Sequence, residues 1–176
     1  MIQPLQAPDS LHLRAAEGWI GLGDYATASE ELELISETSR AHPEVFQLRW
    51  RIYAQANNWD ACLEIATALT IMRAEGLFGW IHRATSLHRL GRTQEAKDLL
   101  VSVVNRFESN PTIPFHLARY CCALGQLDEA LRWLETAVAN ANRPMELIRL
   151  REKLVEDAAL EPLRKMSSGF PGHSRT

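Results

Sequence analysis

The residues of this chain best suited to chemistry are its histidines, its cysteines and a recurring set of arginines. His82 and His116 stand 34 residues apart. Two imidazoles can begin a metal site, but zinc takes three or four ligands at tight spacing. His12 falls at a different phase, and nothing in the spacing brings Cys122 to the pair. No metal and no cofactor is expected. Cys62, Cys121 and Cys122 form an odd set without disulfide-framework spacing, which reads as reduced packing residues. The motifs HExxH, GxSxG, GxGxxG and the P-loop are absent. Gly18, Gly21 and Gly23 lie close together, but in a helix and its turn, after no strand, so they cradle no phosphate. The chain reads as a protein without catalytic residues. Its cations suit another task. Arg51, Arg89, Arg119, Arg149 and Lys153, with His82, His88 and His116, can hold carboxylates by charge-assisted hydrogen bonds. Phe78, Ile81 and Phe115 can supply apolar anchors beside them.

The elements that must position these side chains are helices. Ala, Leu, Glu and Arg are abundant, breakers are sparse, and no alternating Val, Ile and Thr run suggests a strand. A hydrophobic fraction of 46% across 176 residues supports one ordinary domain or a short repeat array. The net charge of −3 lacks the strongly basic balance of a nucleic-acid binder. No apolar run approaches the ~18 residues of a membrane span. Met1 to Ser10 has neither a basic region nor an apolar core of a secretory signal. With reduced cysteines, these features lead to an expected cytoplasmic location.

Internal repetition is the main signal. Gly23, Asn57, Gly91 and Gly125 are spaced 34 residues apart, and so are Ala28, Cys62, Ala96 and Ala130. The physical reading is a helix, a tight turn and a second antiparallel helix. Gly or Asn ends the first helix because it accepts the left-handed conformation cheaply. Asp24, Asn58, Thr93 or Asp128 then caps or favourably charges the next helix. The small residue five positions after the turn lets the two helices approach closely.

A 34-residue helix–turn–helix unit with these anchors resembles the tetratricopeptide repeat. Ala16, Trp19 and Ala28, then Phe46 and Tyr53, then Trp80, Ala84 and Ala96, then Leu117, Ala118 and Ala130 stand at its pattern positions. The resemblance implies an all-α, right-handed α-solenoid of four units, 9–42, 43–76, 77–110 and 111–144. A loose segment 1–8 precedes them. A capping helix over 145–166, with Leu147, Ile148, Leu150, Leu154 and Val155 inward and a polar outer face, follows. The tail 167–176, rich in small residues and breakers, is expected disordered. There are departures. Trp50 stands where a small residue belongs, which implies looser or shifted packing. Pro43, Pro111 and Pro144 fall later than the family proline, so second helices are expected to run long. Pro114 implies that its helix starts near Ile113.

The resemblance also implies a protein-interaction scaffold whose first helices line a concave groove. By phase, that groove takes Arg51, Phe78, Ile81, His82, His88, Arg89, Phe115, His116, Arg119, Arg149 and Lys153. A basic strip of this kind suits an acidic peptide or protein partner. The carboxylate clamp of some tetratricopeptide cochaperones is not reproduced, since Leu13, Glu17, Leu48, Phe78 and His82 occupy its positions. The alternative is a self-assembling structural protein, a homo-oligomer paired through Trp50, Trp59 and Tyr25.

Overall fold

The computed structural model describes residues 3–168, and among them every regular element is helical. In order these are α1 (Asp9–Gly21), α2 (Tyr25–Glu33), α3 (Pro43–Gln55), α4 (Trp59–Met72) and α5 (Leu77–Arg89). There follow α6 (Thr93–Val103), α7 (Thr112–Ala123), α8 (Leu127–Asn140), α9 (Pro144–Glu156) and α10 (Glu161–Ser168). Short 3₁₀ turns lie at Glu37–Ser39, Val104–Phe107 and Ala158–Leu160.

The 34-residue period of the sequence is a period of backbone geometry. Gly23, Asn57, Gly91 and Gly125 have φ of 82°, 56°, 79° and 74°. Beyond each, an amide reaches back to the carbonyl five residues earlier. The bonds run from Asp24 to Trp19, Asn58 to Tyr53, Arg92 to Leu87 and Gln126 to Cys121, each at 2.9 Å. The left-handed residue itself donates to the carbonyl three back, as Gly23 does to Ile20 at 3.1 Å. This is the Schellman closure, which satisfies carbonyls a helix end would otherwise leave open. Side-chain caps follow at two of the four turns. Asp24 Oδ1 accepts from the Thr27 amide at 3.0 Å and Asn58 Oδ1 from the Ala61 amide at 3.3 Å. At α6 and α8 no side chain caps the start, and Asp128 instead places charge in the first turn of α8.

The chain forms two compact units, one up to Ser86 and one from Leu87 onward. In the first, α1 pairs with α2 and α3 with α4, while α2 and α1 both pack on α3. Ala16, Ala28 and Cys62 are fully buried, which is why small residues are needed there. Ile20, Leu32, Ile35, Val45 and Leu48 fill the space between α1, α2 and α3. The segment before α1 is not helical, yet it is attached. Leu5 packs on this core, and the Gln3 carbonyl lies 3.0 Å from His42 Nε2. Asp9 closes the unit across 27 residues, accepting from the Ser36 amide at 2.9 Å and from its hydroxyl at 2.5 Å.

Trp50 packs more tightly than its sequence position suggests. It is 8% exposed, packs edge-on to Trp59, and donates from Nε1 to the buried Ser86 hydroxyl at 3.1 Å. That hydroxyl donates in turn to the His82 carbonyl at 2.8 Å. The bulk is tolerated because its one polar atom has a partner. Nearby, α5 runs against α4 so closely that a Cβ on Gly79 would stand 3.0 Å from the Thr70 amide nitrogen.

In the second unit, α7 packs on α6 and α8, and α10 packs on α8. Phe115, Ala118, Cys121, Cys122, Ala130, Ala137, Leu150, Leu160 and Leu163 are among its core residues. A charge is buried with them. Lys97 is 8% exposed and donates to Gln126 Oε1 at 2.7 Å and to Glu129 Oε2 at 2.6 Å. Glu129 Oε1 accepts from Trp133 Nε1 at 3.2 Å.

Three expectations from the sequence need correction. Second helices do not all run long: α4 and α8 have 14 residues each, but α2 has nine and α6 eleven, and both of these give way to a 3₁₀ turn. The segment 145–166 is not one helix. It breaks after Glu156, turns through Ala158–Leu160 and restarts as α10, with Pro162 in the first turn, where its missing N–H costs nothing. Nor is the outer face of α9 wholly polar, because Met145, Ile148 and Val155 are 58%, 47% and 72% exposed while Leu147 and Leu150 turn inward. α7 begins at Thr112 with Pro114 in its first turn. Ser167 and Ser168 are the last residues of α10, and the rest of the tail expected to be disordered lies outside the described residues.

Candidate functional site

The residues expected to line a groove fall in both units. In the first, His82 lies between two rings. Its centroid is 3.7 Å from that of Trp50 and 3.8 Å from that of Phe78, one turn earlier on α5. Burial holds its pKa down to about 4, and the nearby Arg51 charge lowers it further. Its Nδ1 is buried with no hydrogen-bond partner among the described residues. The imidazole is therefore neutral near pH 7 and is a packing group of the first unit, not a cation. Ile81 is 8% exposed and belongs to the interior; Arg51 is exposed.

In the second unit, several of the expected cations are already engaged. His88 Nδ1 lies 3.0 Å from the Thr93 hydroxyl, and its ring stacks 5.0 Å from that of Tyr120. Burial, then Arg119 and Arg89, lower its pKa. Arg119 Nε lies 2.7 Å from Asp157 Oδ2, an ion pair that ties α7 to the residue just after α9. His116 sits between Phe115 and Tyr120, 6.2 and 6.0 Å from their centroids. Arg89 is exposed.

The remaining three expected residues meet. Phe115, Arg149 and Lys153 line a cavity of about 250 Å³ between the start of α7 and α9, together with Asn110, Pro111, Thr112, Glu146 and Leu150. Phe115 and Leu150, 5% and 6% exposed, make an apolar floor. Arg149 and Lys153 are exposed on α9, one turn apart, and Lys153 Nζ lies 5.7 Å from the Phe115 ring centroid. The one acid in the lining is Glu146, whose Oε2 accepts from the Arg143 amide at 3.3 Å in a capping box. Asn110 Oδ1 accepts from the Thr112 amide at 2.8 Å and fixes the entry to α7. The arrangement offers two cations above an apolar floor. It suits an anionic group attached to an apolar one.

Asn110 was not expected at the site, although an Asn–Pro step before a helix is a readable turn signal. Nor was Asp157, for which the sequence holds no signal. A second cavity, about 430 Å³, is lined by Arg40, Phe46, Arg49 and Tyr53 with Glu33 and Glu64. There the charges balance, since Arg49 pairs with Glu33 at 3.0 Å. No group of three His, Cys, Asp or Glu among the described residues is placed to hold a metal ion. Burial raises the thiols of Cys62 and Cys121 to about 11, so neither is a nucleophile at neutral pH. No helix among the described residues is long and apolar enough to cross a membrane.

A family model described as tetratricopeptide repeat matches residues 87–154. No curated protein matches the sequence significantly. Among solved structures, MamA 41-end from Desulfovibrio magneticus RS-1 superposes with a TM-score of 0.67 at 12% identity, over 94% of each chain. MamA AMB-1 gives 0.61 at 17% identity, over 94% of this chain and 93% of the other. MamA MSR-1 gives 0.63 at 16% identity, over 77% of this chain and 80% of the other. These likenesses concern the all-helical solenoid fold.

Proposed function

We infer that this chain, a tetratricopeptide-repeat protein, is a protein-interaction module, and we propose that it binds an acidic, apolar-anchored peptide segment in the cleft between α7 and α9. The observation that carries the reading is the cation pair Arg149 and Lys153 standing over Phe115 and Leu150, against a single acid in the lining, Glu146. A carboxylate arriving there gains charge-assisted hydrogen bonds. Its apolar neighbour gains the floor, where a few buried anchors carry most of the affinity. The exposed cations also speed encounter with an acidic partner.

The acidic preference rests on α9 and not on a strip of cations along the first helices. Arg119 is committed to Asp157 and His82 is neutral in its aromatic stack, so neither adds charge for a ligand. No group in the cleft is placed as a nucleophile or a general base, and the proposed role is binding without catalysis. A random peptide library panned on the full chain tests this. Peptides with Asp or Glu beside Leu, Ile or Phe are the expected winners, and enrichment of basic or purely polar peptides would refute the reading.

A further inference from the structure

The first unit carries a helix face that the described residues leave largely open, with Ala15 on it half-buried. On α1, Ala16 and Ile20 point into the core, while Leu11, Ala15, Gly18 and Leu22 fall on the opposite side. Leu11 is 53% exposed and Leu22 78%. Leu22 follows α1 in helical conformation, with φ −86° and ψ −5°, so the stripe is continuous. The steps of four, three and four residues are those of a seam between two packed helices.

Neither a left-handed backbone nor packing against the described residues requires glycine at position 18. Glycine weakens a helix interior, and here a Cβ would meet nothing within 4 Å. A small residue in the middle of an apolar stripe is what a second helix needs to come close.

The stripe is its own complement. Place a two-fold axis between residues 16 and 17, with a second α1 running antiparallel. Leu11 then faces Leu22 of the other copy, and Ala15 faces Gly18, each pairing occurring twice. In such a pair like flanks meet. Arg14 and Glu17, both exposed, share one flank, so Arg14 of each copy lies beside Glu17 of the other. Large residues meet at the ends, small ones at the centre, and opposite charges along the edge. This self-complementarity is the condition for an isologous interface.

We propose that two copies of this chain pair through α1, antiparallel, with Gly18 and Ala15 at the centre of the contact. The proposal is independent of the α7–α9 cleft, which lies in the other unit.

Sedimentation equilibrium of the full chain across a hundredfold concentration range tests it. The wild type should show a dimer, and Gly18→Arg should shift it to monomer at all concentrations. The open space at Gly18 lets Arg enter without disturbing the fold, so far-UV circular dichroism of the variant should match the wild type. Register is tested separately by oxidising single-cysteine additions. Leu11→Cys chains mixed with Leu22→Cys chains should cross-link to each other. Either one alone should not, because two copies of Leu11 lie about 16 Å apart along the helix axis at the α-helical rise. A wild type that stays monomeric overturns the proposal. So does a Gly18→Arg chain that dimerises as before, the outcome expected if copies met through Met145, Ile148 and Val155 of α9. Equal cross-linking in the unmixed samples refutes the antiparallel register.

Discussion

The imidazole of His82 lies with its centroid 3.7 Å from that of Trp50, the planes inclined by 47°. Trp50 occupies a position that in this repeat pattern belongs to a small residue, and His82 is part of what covers it. Burial therefore opposes protonation of His82 in the folded chain, where its pKa is about 4 against an ordinary 6.5. The unfolded chain binds that proton more readily. Stability from this group is complete above pH 6.5 and is lost as pH falls toward 4, by at most roughly 3 kcal/mol. Urea unfolding of wild type and His82→Gln at pH 7.5, 5.5 and 4.5 checks it. The wild type should lose more on acidification than the variant does, and parallel losses would contradict the burial account.

Asp9 shifts in the opposite direction. The Ser36 hydroxyl, then its amide, then Ser39, hold the carboxyl down to about 2 from an ordinary 3.8. Its contribution is present above pH 3.8 and disappears as pH falls through 2. Asp9→Asn should lower the melting temperature of the first unit at pH 6, and its difference from wild type should shrink below pH 3. A constant difference across that range would show that the Asp9–Ser36 bonds do not depend on the charge.

Lys97 tests the buried charge of the second unit. Removing it by Lys97→Met leaves the partly buried Glu129 without its cation and should cost roughly 1–3 kcal/mol in chemical denaturation. The double variant Lys97→Met/Glu129→Gln should recover part of that loss. No recovery would mean that Lys97 acts through the packing of its aliphatic stem alone.

Two glycines should respond differently to Ala. Gly91→Ala meets open space but holds φ at 79°, so only backbone strain is added, about 1 kcal/mol. Gly91→Asn should be milder, since Asn57 holds φ of 56° at the equivalent turn. Gly79→Ala drives a Cβ against the backbone of α4 and should cost more, about 1–3 kcal/mol. Thermal melts of the three variants rank these effects, and Gly79→Ala as the mildest would contradict the packing of α4 on α5.

What the sequence reveals is what repeats. The four left-handed turns and the buried Ala28, Cys62, Ala96 and Ala130 were legible because backbone geometry imposes one residue class at one spacing. Features that occur once were not legible. Nothing at residue 157 announces a partner for Arg119, and nothing around Lys97 marks it as buried beside Glu129. Phase placed Phe115, Arg149 and Lys153 on one face, and the structure joins them at one cavity. It could not tell that Ile81 is interior and that His82, at a similar phase, is half-buried against Trp50. Helical phase gives direction, while burial depends on the neighbours met in that direction, and at His82 that neighbour is the out-of-pattern Trp50.

The central claim, an acidic peptide held over Phe115 by Arg149 and Lys153, is tested most directly by charge reversal. A fluorescein-labelled peptide in which two Glu flank a Leu is titrated by fluorescence anisotropy with the wild type and with Arg149→Glu/Lys153→Glu. Both side chains are exposed, so the double variant should keep the wild-type melting temperature. The wild type should bind saturably and more weakly with added salt, and the double variant should lose at least tenfold in affinity. Equal binding by both proteins would contradict it and remove the cleft between α7 and α9 from the function of this chain.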